Sequence, residues 1–126
     1  MSEKVLGLGG CFRKVRDPAA LAVWYRDALG VNLNNFGGPT FMAMFPFKSE
    51  DPGKLVWSLF PESSEYFPGP TMFNFRVSNL DAMLAQLRAF GAKVDDKVEE
   101  SEFGRFGWVT DPEGQRVELW QPPVKK

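Results

Sequence analysis

Any chemistry done by this 126-residue chain has to be done without imidazole, because the sequence contains no histidine. Imidazole is the commonest metal ligand and the usual general base near neutral pH, so zinc sites of the histidine type and Ser-His or Cys-His pairs are excluded. The single cysteine, Cys11, cannot form an intrachain disulfide and suits a reducing compartment. With no histidine to activate it, Cys11 is a poor nucleophile. The remaining reactive groups are carboxylates, Lys, Arg, Tyr or an acquired cofactor. Among the carboxylates Glu118 stands out by its neighbours. In RVELWQ, Val117 and Leu119 fall on one face of a strand, and Arg116, Glu118 and Trp120 on the other. If the apolar face packs under a helix, Glu118 points into whatever the sheet encloses. Three roles are open to it: a structural carboxylate paired with Arg76 or Arg116, a general base, or a ligand-recognition group. A neighbouring guanidinium favours its ionised form, and an apolar wall raises its pKa.

The elements that must position these groups are marked by punctuation residues. Asp111-Pro112-Glu113-Gly114 is a turn that folds Phe106–Thr110 back against Arg116–Trp120. Asp17 caps a helix that has Pro18 in its first turn, a stripe of Leu21, Trp24, Tyr25, Ala28 and Leu29, and Gly30 at its end. Asn79 caps a second helix, with Leu80, Met83, Leu84, Leu87 and Phe90 as its stripe and Gly91 as its stop. Strands are predicted at Val5–Arg16, Val31–Phe36, Thr40–Phe45, Lys54–Phe60, Thr71–Val77, Lys93–Val98, Phe106–Thr110 and Arg116–Trp120. The separators Gly37-Gly38-Pro39 and Glu50-Asp51-Pro52-Gly53 read as turns. Glu62–Pro70, with Tyr66-Phe67 exposed, reads as a linker crossing the surface. Asp95-Asp96 and Glu99-Glu100 read as a solvated acidic loop or strand edge.

Both halves therefore read β-α-β-β-β, and they match at a nearly constant offset. Val15 and Asp17 answer to Val77 and Asn79, Gly30 to Gly91, and Ser58-Leu59-Phe60 to Glu118-Leu119-Trp120. The chain is long enough for one domain with a real core and too short for two. Its net charge is −1 with no long run of either sign, so a small molecule is the expected partner, and neither nucleic acid nor a membrane surface. There is no signal-peptide pattern and no stretch of roughly twenty apolar residues, which points to the cytoplasm.

The segments VRDPAALAVWYRDALG, VSNLDAMLAQLRAFG and GRFGWVTDPEGQRVELWQP resemble the vicinal oxygen chelate superfamily, which includes glyoxalase, bleomycin-resistance and extradiol-dioxygenase proteins. The resemblance covers almost the whole chain. It implies an α+β fold of two tandem βαβββ modules, about 5–61 and 71–122 with a linker at about 62–70, whose curved mixed sheet encloses a cup. It also implies a homodimer. Metal-dependent relatives hold a divalent ion with four ligands, and by register those positions here are Gly10, Ser58, Met72 and Glu118. Only Glu118 is a strong ligand for a hard ion. No metal and no other cofactor is therefore expected.

Alternation puts Phe12, Val56, Ser58, Phe60, Met72, Asn74, Arg76, Arg116, Glu118 and Trp120 toward the cup. Trp57, Leu59, Phe73, Phe75, Val117 and Leu119 fall beneath the helices, with Trp24 in the same core. The expected function is binding of a small apolar or aromatic molecule in the cup without metal. The alternative is a lyase or isomerase of the same superfamily, less readily a dioxygenase, using Glu118 as acid/base or as a remnant metal ligand.

Overall fold

The computed structural model describes residues 3–35, 37–46 and 54–123. In chain order they form β1 (Gly7–Val15), α1 (Pro18–Leu29), β2 (Phe41–Pro46), β3 (Lys54–Pro61), β4 (Thr71–Arg76), α2 (Leu80–Phe90), β5 (Lys93–Val94), β6 (Glu99–Ser101), β7 (Gly104–Thr110) and β8 (Arg116–Gln121). No helix among the described residues is long and apolar enough to cross a membrane.

The two helices start in the same way. The Asp17 carboxylate accepts from the Ala20 N–H at 3.1 Å, and the Asn79 carbonyl oxygen from the Ala82 N–H at 3.0 Å. Each side chain thereby satisfies a backbone donor that the first turn leaves unpaired. The helices stop at Gly30 and Gly91.

One eight-stranded mixed sheet runs in the order β2-β3-β1-β4-β8-β7-β5, with β6 also on β7. Each βαβββ unit repeats one pattern: its first strand lies parallel to its last, β1 to β3 and β4 to β8, and the strand before the last pairs antiparallel with it. The units join where β1 and β4 run antiparallel. Phe12 pairs with Ser58 and Asn74 with Glu118, so equivalent positions of the two units meet at the centre of the sheet.

Two predicted strands are shorter than expected. Of Val31–Phe36, only Asn34 bridges to Met42 among the described residues. Three asparagines in NLNN offer little strand propensity. Of Lys93–Val98, only Lys93–Val94 pairs with β7, after which the chain leaves the sheet and rejoins it as β6. Glu99 and Glu100 thus belong to a strand edge. The Asp111–Gly114 turn forms as read, with the Asp111 carboxylate accepting from the Glu113 and Gln115 N–H groups at 2.9 Å each. The Glu50–Gly53 separator, and Phe36, lie outside the described residues.

Burial is split three ways. Val15, Ala22, Leu33, Ala43 and Leu59 close the space under α1, and Val77, Leu80, Met83, Leu84 and Leu119 the space under α2. Phe12, Phe67, Met72 and Trp108 form a third cluster on the concave side. Two aromatics expected in the core are on the surface: Phe73 is 45% and Trp24 54% exposed. Phe73 pairs with Cys11 on the β1–β4 seam. The helices pack to either side of that seam, α1 on β2 and β3, α2 on β5, β7 and β8. On α1 it is Tyr25 that turns inward, edge-on to Trp57 with centroids 4.6 Å apart, while Trp24 rests edge-on against Tyr25 from outside.

Candidate functional site

The concave face of the sheet encloses a cavity of about 390 Å³. Hairpin register fixes its base. The turn at 111–114 pairs Trp108 with Glu118 and Phe106 with Trp120, so these side chains share a face. β8 in turn lies parallel to β4 with Asn74 beside Glu118. Phe12, Val56, Ser58 and Phe60 come from β1 and β3, and Met42 and Met44 from β2. The walls are aromatic: Phe106 stacks on Trp120 at 6.1 Å, and Phe60 on Tyr66 at 5.7 Å.

At the base lies Glu118, only 1% exposed. Its Oε1 accepts from Asn74 Nδ2 at 2.6 Å. Its Oε2 accepts from Trp108 Nε1 at 3.0 Å and also from the Tyr66 hydroxyl. Three donors thus converge on one buried carboxyl, as a buried polar group requires. Burial pushes its pKa up, while the three hydrogen bonds and the Arg116 guanidinium pull the other way; desolvation is the largest of these influences and the net direction is upward. Tyr66 is raised too, by burial first and then by the charge of Glu118, so its hydroxyl stays protonated and donates. The Cys11 thiol is also raised by burial, which keeps it protonated and unreactive at neutral pH.

Of the side chains singled out from sequence, Phe12, Ser58, Phe60, Asn74, Glu118 and Trp120 meet around the cavity. Three do not line it. Met72 is wholly buried below the floor, sealed by Phe12, Phe67 and Trp108. The Arg76 guanidinium lies against Gly7 at the start of β1. Arg116 turns outward: it pairs with Asp95 at 2.9 Å, lies over the Trp108 ring at 4.7 Å, and donates to the Tyr66 carbonyl. The side chains that donate to Glu118 are a phenol, an amide and an indole.

Sequence reasoning missed Tyr66 and Trp108. Residues 62–70 run largely over the surface, but Phe67 is 1% exposed and anchors the segment, while Tyr66, 36% exposed, lines the cavity and reaches Glu118. Two adjacent aromatics in so short a connection were the available signal. Trp108 could have been found by counting back from the Asp111–Gly114 turn, since it stands directly opposite Glu118.

The superfamily's divalent ion does not fit these residues. A Cβ on Gly10 would stand 2.4 Å from the Val56 carbonyl oxygen, so the strand as built leaves no room for a ligand side chain there. Both positions on Glu118 Oε2 face N–H or O–H donors, whose hydrogens point where a cation would sit, and the position left on Oε1 is a single ligand where the superfamily's site takes four. Among the described residues no three His, Cys, Asp or Glu stand close enough to share an ion.

A family model described as glyoxalase-like domain matches residues 11–120. No curated protein matches the chain. Solved structures do. Methylmalonyl-CoA epimerase from Mycobacterium tuberculosis superposes with a TM-score of 0.68 at 23% identity, over 98% of this chain and 93% of that one. A variant of the Streptomyces coelicolor methylmalonyl-CoA epimerase in complex with 2-nitronate-propionyl-CoA gives 0.73 at 18% identity, over 96% and 100%. A Legionella pneumophila structure described as NAD-dependent benzaldehyde dehydrogenase gives 0.60 at 20%, over 90% and 98%. At these identities the likeness shows the fold.

Proposed function

The chain belongs to the glyoxalase-like domain family, within the vicinal oxygen chelate superfamily, and from that premise we propose that it binds a small, largely apolar or aromatic molecule in its cup without a metal ion. One observation carries this reading: a cavity of about 390 Å³ walled by Phe12, Phe60, Phe106 and Trp120, with only a few polar groups in its lining. Ligand pockets are typically about 300 Å³ or larger, with apolar walls and sparse polar groups that fix orientation. Glu118, Asn74 and Ser58 are those groups. The binding unit is a homodimer in the cytoplasm.

Thermal-shift and calorimetric titration with bicyclic aromatic compounds tests the binding. Stabilisation of the wild type is expected, and it is expected to be lost when Trp120→Ala opens the wall. A panel of cup-sized aromatics none of which shifts the melting temperature would end the reading.

A second reading is an isomerase or lyase that moves a proton through Glu118. It is favoured by the raised pKa of a carboxyl at the cavity base, since a catalytic acid or base works best when its pKa approaches the working pH. The Oε1 oxygen, with a single donor, keeps a lone pair for a substrate proton. Under this reading Glu118→Gln keeps ligand affinity and abolishes turnover. Solvent-deuterium incorporation into a bound ligand, present in the wild type and absent in the variant, is the measurement.

A further inference from the structure

Charge around the cup is one-sided. Its described lining carries two carboxylates, Glu118 at the base and Glu102 at the rim beside Phe103, and no lysine or arginine. Of the cations nearby, Arg76 lies against Gly7 at the start of β1, and two others are engaged away from the cavity. Arg116 is behind Trp108 and Tyr66 and paired with Asp95, and Lys14 donates to the Phe67 carbonyl from over that ring. The lining also holds four aromatic rings stacked in two pairs, Phe60 on Tyr66 and Phe106 on Trp120. The negative face of an aromatic ring attracts a cation, more strongly where water is excluded.

Unused acceptors point the same way. Asn74 spends its N–H on Glu118, and its Oδ1 is buried with no hydrogen-bond partner, against Gly9 in the cavity lining. Glu118 Oε1 has capacity for a second donor. An anionic ligand would enter an apolar-walled space facing carboxylates, with no cation among the described lining residues to meet it. A cationic one would meet aromatic rings, the spare capacity of Glu118 Oε1 and opposite charge.

We propose that the cup selects a small organic cation, an amine or quaternary ammonium carried on an apolar body, over a neutral analogue and over an organic acid. This rests on the binding reading above and names the ligand class for the same site.

Isothermal titration of the full chain with three probes built on one naphthalene body tests it: 2-naphthylmethyl-trimethylammonium, 2-naphthalenemethanol and 2-naphthylacetate. The cation is expected to bind about tenfold more tightly than the alcohol, and the acid most weakly. In Glu118→Gln and, separately, in Glu102→Gln, the ratio of cation to alcohol affinity should shrink. The rim variant cannot disturb the buried network, so a folding defect at position 118 would leave the question answerable. Alcohol binding with no preference for the cation, or acid binding as tight as the cation, overturns the proposal while leaving the binding reading intact. A preference unchanged in both variants overturns the assignment to these carboxylates. Failure of all three probes to bind overturns the binding reading and this inference together.

Discussion

Glu118 is held by donors alone, and this determines which substitutions it tolerates. A glutamine in its place can accept from Tyr66 and Trp108 through its oxygen. Its amide nitrogen then faces Asn74, whose amide can turn to present the otherwise unpartnered Oδ1. Glu118→Gln is therefore expected to fold. Glu118→Leu strands three buried donors, at a cost of about 3 kcal/mol or more. Urea titration of both variants distinguishes these outcomes. Their pH dependence differs as well. Because burial raises the Glu118 pKa above the ordinary glutamate value of 4.5, the folded state holds that proton more tightly than the unfolded chain. Its stabilisation is complete below the ordinary value and is lost as pH rises through the raised one. The stability gap between wild type and Glu118→Gln should accordingly move in the variant's favour from about pH 4 to about pH 8, with the other carboxylates cancelling. Thermal melts across that range check the direction; movement the other way would mean that the three donors outweigh desolvation. Tyr66→Phe removes one donor that pulls the carboxyl down, so it should shift the midpoint of that gap to higher pH.

At the scale of elements, the strands and helices were legible wherever period and punctuation agreed. Asp17, Pro18 and Gly30 bounded α1, Asn79 and Gly91 bounded α2, and alternation placed Glu118, Trp120, Phe12, Ser58 and Asn74 on one face of the sheet. Alternation alone could not tell a lining residue from one sealed beneath it. Met72 and Asn74 lie two apart on β4, yet only Asn74 borders the cavity, because Phe67 arrives from a segment with no period to read. The same limit hid Tyr66. That segment makes its own prediction: Phe67→Ala, at a fully buried site, should cost about 3–5 kcal/mol and release Tyr66 from Glu118. Near-ultraviolet circular dichroism and chemical denaturation report the two effects. On β1, adjacent glycines should separate in their behaviour. A Cβ at Gly9 would meet the end of the Asn74 side chain at 2.1 Å, whereas one at Gly10 would meet the Val56 backbone carbonyl at 2.4 Å. A side-chain amide can swing away and a paired strand cannot. Gly10→Ala is expected to cost the larger share of stability, of the order of 1–3 kcal/mol, and Gly9→Ala the larger share of ligand affinity.

The apolar surface is divided between a concave inside that encloses the cavity and an outside that leaves large side chains exposed. Duplication makes this unavoidable. Each unit has one helix for the convex face of its own strands, and the seam where β1 meets β4 belongs to neither. Leu8 and Phe73 point outward along that seam at 42% and 45% exposed, and pairing puts Leu8 opposite Phe75 and Cys11 opposite Phe73 on the same face. Sequence periodicity could not foresee this, since Phe73 and Phe75 alternate alike and only the spacing of the helices decides which one is covered. Burying such a seam against its own copy would remove several large side chains from water at about 25 cal/mol per Å², and a second copy presents the complementary surface by symmetry. Sedimentation equilibrium is expected to return a mass near twice 14.2 kDa, and Phe73→Ser to shift it toward the monomer without changing ligand affinity, because the cup opens on the opposite face of the sheet. A wild-type chain that sediments as a monomer throughout, or a Phe73→Ser dimer as tight as wild type, would place the contact elsewhere.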